Sequence, residues 1–201
     1  QLLNSNPNRK YDILFEDISI SFFRQVASLK KIRIVPLDET VATKVSGSLN
    51  SIELNGISFM DLIFNRKLTI NQLVLNEPGF RLIHKEVNSR PEDNSQALQD
   101  VFQDVISRGV ISNFELRNGT AEFLVQGDSL MPFGNFTDLN IFANGIVSDS
   151  VIVQNLVPFQ LNSIRISLKN LKLNTIDNQL FKFGELGFDS ESKTILIKDI
   201  S

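Results

Sequence analysis

The sequence predicts a mainly β (α+β) fold: a long twisted antiparallel sheet, or a partly open β-groove or barrel, with one amphipathic helix packed on it. Three observations lead to this prediction. Apolar and polar residues alternate with a period of two through many segments, which gives each strand one apolar and one polar face. Turn-forming residues separate these segments. A convincing apolar stripe at helical spacing occurs at residues 95–108.

The central alternating stretch is residues 45–84, which reads as strand, short helical turn, strand, turn and strand. Asn55-Gly56 breaks the first strand, and Asn76-Glu77-Pro78-Gly79 is typical turn chemistry. We expect the alternating apolar positions of this stretch to line one concave wall. These predicted lining residues are Ile52, Leu54, Ile57, Phe59, Leu68, Ile70, Leu73 and Leu75.

The flanking segments follow the same pattern. Further strands are predicted at residues 11–23, 28–36, 38–44, 135–143, 151–154, 159–173, 179–183 and 194–200. The first of them should bulge near Glu16-Asp17. Residues 110–125 predict a hairpin, because Asn118-Gly119 favours a tight primed turn. The helix at 95–108 ends at Gly109, which suits a left-handed terminating residue.

The domain organisation is simple. Residues 1–10 are polar and predict a linker, and residues 11–201 predict one β-rich domain. This domain is either a single unit or two repeat-like halves, 11–85 and 110–201, joined by the helix at 95–108. A short internal echo favours repetition, because Leu-Asn-Ser-Ile occurs at 49–52 and again at 161–164.

Composition excludes several classes of function. The net charge is -3 and the basic residues are scattered, so the chain lacks the basic stripe of a nucleic-acid-binding protein. It has no cysteine and a single histidine, His84, which leaves no thiol chemistry and few metal ligands. Phosphate-binding glycine loops and the GxSxG motif are absent from the sequence. We therefore predict no catalytic residues, no metal site and no cofactor.

Three motifs together resemble the AsmA family of bacterial envelope proteins. The chain contains the segments VSGSLNSIELNGISFMDLIFNRKLTINQLVLNEPGFRLI, ISNFELRNGTAEF and FTDLNIFANGI. They are similar to that family's N-terminal strand–turn–strand unit, its Asn-Gly hairpin and its following Asp-Leu strand, over residues 10–145. The resemblance implies a periplasmic, β-rich body with an apolar groove for acyl chains. It also implies a membrane anchor outside this sequence, in the inner membrane, and it supplies no active-site residues.

Three hypotheses about function follow. The first is a non-enzymatic lipid-binding or lipid-transfer segment, whose partner is a phospholipid or another acyl-chain lipid. The second is a structural or scaffolding β-domain of the cell envelope that binds other proteins. The third and least favoured is an enzyme that uses His84 as its base. The sixteen phenylalanines, beside one tyrosine and no tryptophan, suit either an apolar binding surface or a phenylalanine-rich core.

Overall fold

The computed structural model describes residues 11–37, 43–65, 67–85, 109–127, 129–148, 159–174 and 179–201. These residues form eleven strands, all in one sheet, and one short helix. The elements are β1 (Tyr11–Leu14), β2 (Asp17–Ser21), β3 (Val26–Pro36), β4 (Thr43–Ile57), α1 (Phe59–Asn65), β5 (Leu68–Asn76), β6 (Gly79–Lys85), β7 (Gly109–Gln126), β8 (Leu130–Ser148), β9 (Ser163–Asn174), β10 (Leu180–Asp189) and β11 (Thr194–Ile200).

The predicted mainly β fold is confirmed, as a large open sheet that is partly ring-like but not a barrel. The helix packed on it is α1, which contacts β5. The helix predicted at 95–108 lies outside the described residues, as do the predicted linker at 1–10 and the predicted strand at 151–154.

Two pairs of strands are collinear. β1 and β2 both pair with β3 in one continuous register, and the interruption between them lies beside Glu16, where the sequence predicted a bulge. β5 and β6 likewise pair with β4 on one side and with β7 on the other. Glu77 and Pro78 separate these two strands, so the predicted turn there is a break in one long strand and not a reversal of the chain.

The sheet is mixed, so one of the two predicted architectures, the long antiparallel sheet, differs from the structure in the direction of one strand pairing. β5 and β6 run parallel to β7, whereas the other pairs of named strands are antiparallel. Parallel neighbours need a connection long enough to return the chain to the starting end. Residues 86–108 make that connection, and alternation alone contains no information about strand direction.

A line of left-handed residues crosses the sheet at one level. The backbone φ angle is positive at Lys31 (52°), Glu77 (51°), Asn118 (55°), Asp138 (52°), Asn170 (52°) and Asp199 (55°). From Glu77 to Asp199, each of these residues lies level with a left-handed residue or a glycine of a neighbouring strand, whereas Lys31 lies level with Asn50 of β4. Left-handed residues bend a strand and shift its side-chain alternation. We call this line the crease.

The crease explains why the predicted hairpin at 110–125 was wrong. β7 continues without reversal from Gly109 to Gln126, and Asn118 lies in its middle. Register shifts against β8 occur on both sides of Gly119, which marks a bulge. Asn118 does adopt the left-handed conformation that favours a primed turn, but the chain uses that conformation to bend a strand.

A second change of alternation builds the core. Ile70, Ile111 and Ile146 pair across three strands, and they pack with Ala143 in one buried cluster. Leu54, Leu73 and Phe114 pack against this cluster. Strict alternation would place Ile70, Ile111 and Ile146 on one face of the sheet, and Leu73, Phe114 and Ala143 on the other. Left-handed glycines, Gly56 with φ 67° and Gly145 with φ 65°, separate the groups along β4 and β8 and bring them to one side.

Candidate functional site

Six of the eight predicted lining residues form cross-strand pairs. Ile52 lies opposite Leu75, Leu54 opposite Leu73, and Ile57 opposite Ile70 in the antiparallel ladder of β4 and β5. Directly opposed residues share a face, so the period-two pattern placed these pairs correctly. The structure therefore brings together most of the apolar wall that the sequence predicted.

The remaining predicted residues differ in role. Phe59 was expected to continue β4, but it is the first residue of α1 and lies against Phe22, with ring centroids 4.7 Å apart. Ile57 and Ile70 are 5% and 1% exposed, so they belong to the core and offer no surface to a ligand. Leu68 is half-buried and packs against the same core cluster.

The paired residues belong to two apolar rows that run across the sheet at right angles to the strands. The first row is Ile18, Leu29, Ile52, Leu75, Leu116, Ile141, Ile166, Phe188 and Ile195. The second row is Ile20, Ala27, Leu54, Leu73, Phe114, Ala143 and Ile164. We call the two adjacent rows the apolar stripe.

The apolar stripe is long and unevenly covered. Its first row takes one residue from each of nine neighbouring strand positions, so at a strand spacing of about 4.8 Å it extends for about 38 Å. Leu116 is 7% exposed and Ala143 is 2% exposed near the centre of the rows. Ile18 and Ile195, at the two ends, are 52% and 74% exposed. The stripe is thus packed at its centre and open to solvent at both ends.

Sequence reasoning missed most of the stripe. Residues outside the central stretch, such as Ile141 and Ile166, were recognised as alternating strand positions but not as neighbours of Ile52 and Leu75. The missing information was strand order and register, because the parallel pairing of β5 with β7 joins the two parts of the chain. The alternation at 17–21 and 163–168 was the available signal.

The alternate positions between these rows are largely polar and bond to one another. Gln72 donates from Nε2 to Glu115 Oε1 over 2.7 Å and receives a hydrogen bond from Asn55. Asn76 donates to Glu53 Oε1 over 2.9 Å, and Arg117 pairs with Glu115. These groups satisfy one another across β4, β5 and β7. These hydrogen bonds are partly buried, and because the groups satisfy one another they offer no free acid–base pair.

A groove of about 810 Å³ lies on the other side of the crease from the apolar stripe, as its lining residues show. Its cations are Arg33, Arg81 and Lys172, and its one carboxylate is Glu122, which pairs with Arg81 over 3.2 Å. Hydroxyl, amide and apolar groups from β3, β4, β6, β7, β8 and β9 complete its lining. The predicted lining residues are all absent from it. Its charge suits an anionic group, whereas the stripe suits hydrocarbon.

The remaining polar chemistry offers no catalytic constellation among the described residues. His84 is exposed on β6, and its Nδ1 atom lies 3.0 Å from the Thr43 hydroxyl oxygen. The described part of the chain holds no group of three or more histidine, cysteine or acidic side chains placed to bind a metal. Among the helices that the structure describes, none is long and apolar enough to cross a membrane.

One carboxylate near an end of the stripe has a structural role. Asp189 accepts hydrogen bonds from the backbone N–H groups of Glu191 and Ser192, over 2.9 and 3.2 Å, and from Arg165 Nε over 2.8 Å. The Ser192 N–H, followed by Arg165, lowers the pKa of this carboxyl group. Asp189 therefore ties the turn between β10 and β11 to β9.

Comparison with known proteins adds no relatives to this picture. The chain matches no protein-family model, and no curated protein sequence matches it significantly. The basis for a functional proposal is therefore the geometry of the apolar stripe and the groove, together with the sequence motifs.

Proposed function

We propose that this chain is a non-enzymatic lipid-binding or lipid-transfer segment of an AsmA-like cell-envelope protein, and that it holds acyl chains on the apolar stripe. The observation that carries the proposal is the unbroken run of apolar residues across nine strand positions. A core needs a cluster, but it does not need a row that continues to both ends of an open sheet. A ligand with a long hydrocarbon chain matches that shape.

Burial of hydrocarbon against the stripe would supply the free energy of binding. Each methylene group removed from water gains about 0.8 kcal/mol, so several methylenes in contact with the stripe give useful affinity without any specific polar contact. The stripe, about 38 Å long by strand spacing, exceeds the thickness of a whole hydrocarbon core of about 30 Å. Its length therefore accommodates one acyl chain of a phospholipid, which would lie against the exposed and half-buried members of the rows.

The setting of this activity follows from the AsmA resemblance. That resemblance favours a periplasmic location and a membrane anchor elsewhere in the protein, with a phospholipid or another acyl-chain lipid as partner. The groove beside the crease, with Arg33, Arg81 and Lys172, offers cations that suit the phosphate of such a lipid. No nucleic-acid partner is proposed.

Two neighbouring residues of β8 provide a matched test. Ile141 belongs to the stripe, whereas Phe142 alternates to the other face, where it opposes Glu115 and Arg165. We expect Ile141→Gln to weaken the binding of a fluorescent fatty acid by at least about fivefold, because a polar group interrupts the wall. Phe142→Gln should bind as the parent protein does.

A second stripe variant separates lost binding from lost folding. Leu75→Phe adds bulk but no polarity, so it should narrow the lining and weaken binding while the thermal midpoint changes little. Unchanged fatty-acid binding in both stripe variants would count against the proposal, as would an equal loss in Phe142→Gln.

A structural or scaffolding role is the second candidate, and one observation favours it. All seven residues of β11 are exposed, and β11 stands at one end of the strand order. A strand with an open edge suits addition of a strand from another protein. Leu196→Lys, on the face of β11 turned away from the stripe, should weaken such an association and leave fatty-acid binding intact, whereas loss of fatty-acid binding alone would favour the first role.

A further inference from the structure

A compact group of exposed apolar side chains lies at the start of the sheet. We call it the apolar tip; its exposed members are Phe22, Phe23, Met60, Ile63 and Phe64, and the half-buried Phe59 packs against Phe22. Phe23 is fully exposed, and Phe64 and Phe22 are 71% and 65% exposed. Single exposed apolar residues are normal on protein surfaces, but a contiguous group of this size marks an interaction site.

The two segments of the tip are held together by the backbone and by ring contact. Phe22 and Phe23 lie in the turn between β2 and β3, while the other members belong to α1. The backbone N–H of Ile57 donates to the Gln25 carbonyl oxygen over 3.0 Å, which joins β4 to this turn. Phe22 then lies against Phe59. The turn that carries the exposed rings is therefore fixed to β4 and to α1.

α1 is anchored although it is short. The Ser58 N–H donates to the Thr69 carbonyl oxygen over 2.9 Å, and the Asp61 N–H donates to Ser58 Oγ over 3.3 Å. Asn65 donates from Nδ2 to Asp61 Oδ1 over 3.1 Å. The one acidic side chain of α1 thus accepts a hydrogen bond from Asn65 within the helix, which lowers its pKa and keeps it ionised.

The charges beside the tip are complementary to an anionic surface. Arg24 follows Phe23 in the turn, and Lys67 follows α1. Both are exposed. Within the two segments that form the tip, residues 22–24 and 59–65, the one acidic residue is Asp61. Exposed aromatic and aliphatic side chains flanked by cations are the pattern of a surface that inserts at the interface of a lipid bilayer.

We infer that the apolar tip docks into the surface of a bilayer containing anionic lipid, with its phenylalanine rings among the acyl chains and Arg24 and Lys67 at the headgroups. Ile18 and Ile20 of β2 begin the two rows of the apolar stripe, and Phe22 follows at the next alternate position. The tip therefore adjoins one end of the stripe. Docking stands on the tip alone, whereas passage of a lipid from bilayer to stripe rests on the proposed function.

A single-tryptophan reporter tests this inference directly, because the chain contains no tryptophan. Phe23→Trp places the reporter on the tip, and Ile195→Trp places it on another exposed apolar position, in β11. With phosphatidylcholine–phosphatidylglycerol vesicles, the emission of the tip reporter should shift to the blue, while that of the β11 reporter stays unchanged. Vesicles of phosphatidylcholine alone should produce a smaller shift.

Co-sedimentation with the same vesicles gives an independent measure. Phe23→Ser combined with Phe64→Ser should lower binding at least tenfold, since two rings leave the bilayer. Arg24→Glu should weaken binding to the anionic vesicles only. Leu130→Ser combined with Met131→Ser, at exposed apolar positions of β8 outside the stripe and the tip, is the control and should bind normally.

Several outcomes would overturn the inference. They are an unshifted tip reporter, tip variants that sediment like the parent, or a blue shift without vesicles that grows with protein concentration, which would identify a second copy as the occupant. The proposed function is measured separately, because Ile141→Gln should lose fatty-acid binding while its vesicle sedimentation stays normal. A negative result for vesicle binding therefore does not decide fatty-acid binding by the stripe, and the reverse also holds.

Discussion

Gly56 and Asn71 meet across β4 and β5 so closely that a Cβ atom at Gly56 would lie 2.6 Å from the Cβ atom of Asn71. Gly56 also has a φ of 67°, which side chains rarely adopt. This bend shifts the alternation of β4, so that Leu54 and Ile57 both serve the core side. The close approach and the backbone angle together require glycine here.

We therefore expect Gly56→Ala to lower the free energy of unfolding by more than about 1 kcal/mol, because alanine is strained at positive φ and its methyl group collides with Asn71. Gly79→Ala is the control, since its added Cβ would make an ordinary contact of 3.4 Å with the Thr120 hydroxyl. Urea denaturation measures both variants. Equal stability of the two would show that the bend at Gly56 tolerates a side chain.

The positive φ of Asn118 in the crease leads to a similar prediction about stability. Asparagine accepts the left-handed conformation more easily than a β-branched residue, for which it costs about 1–2 kcal/mol. Asn118→Val should therefore lower the thermal midpoint, whereas Asn118→Gly should leave it nearly unchanged. A valine variant as stable as the glycine variant would contradict the assigned bend in β7.

Much of the fold was predictable because alternation is a local property. The strands at 28–36, 159–173 and 194–200 were read from their own residues, whereas the bulge predicted near Glu16 is an interruption without an extra residue. The direction of β7 was not predictable, because parallel pairing depends on the connection at 86–108. Asn118-Gly119 favours positive φ in a hairpin and in a bent strand alike. The predicted backbone conformation was therefore correct, whereas the predicted hairpin was wrong.

Acid should loosen the last hairpin. The lowered pKa of Asp189 means that the ionised carboxylate is stabilised in the folded protein, so its contribution is present above the ordinary aspartate pKa of about 4. That contribution is lost as the pH falls through the lower folded value. We expect amide exchange in β11, after correction for the intrinsic rate, to accelerate over this acid range in the parent protein.

Asp189→Asn provides the matched test of that assignment. The amide cannot titrate in this range, so β11 of the variant should exchange faster than the parent at neutral pH and show little additional acid dependence. Parent and variant with identical pH profiles would mean that Asp189 does not hold the turn at Glu191 and Ser192.

The candidate site was predicted only in part, for a physical reason. Ile52, Leu54, Leu73 and Leu75 were placed on one wall because neighbouring strands of a local unit share their alternation. Phe59 was misplaced, since it occupies the next alternate position after Ile57, where β4 ends, and so continues the period-two pattern into α1. The extension of the wall to Ile166 and Ile195 required the order of all strands, which alternation cannot supply.

The central claim is that the apolar stripe holds lipid, and native mass spectrometry tests it most directly. Protein purified from a lysate that contains membranes should carry bound lipid, seen as discrete added masses that diminish in the Ile141→Gln variant. Protein that carries no lipid under these conditions, and that also fails to bind a fluorescent fatty acid, would contradict the claim.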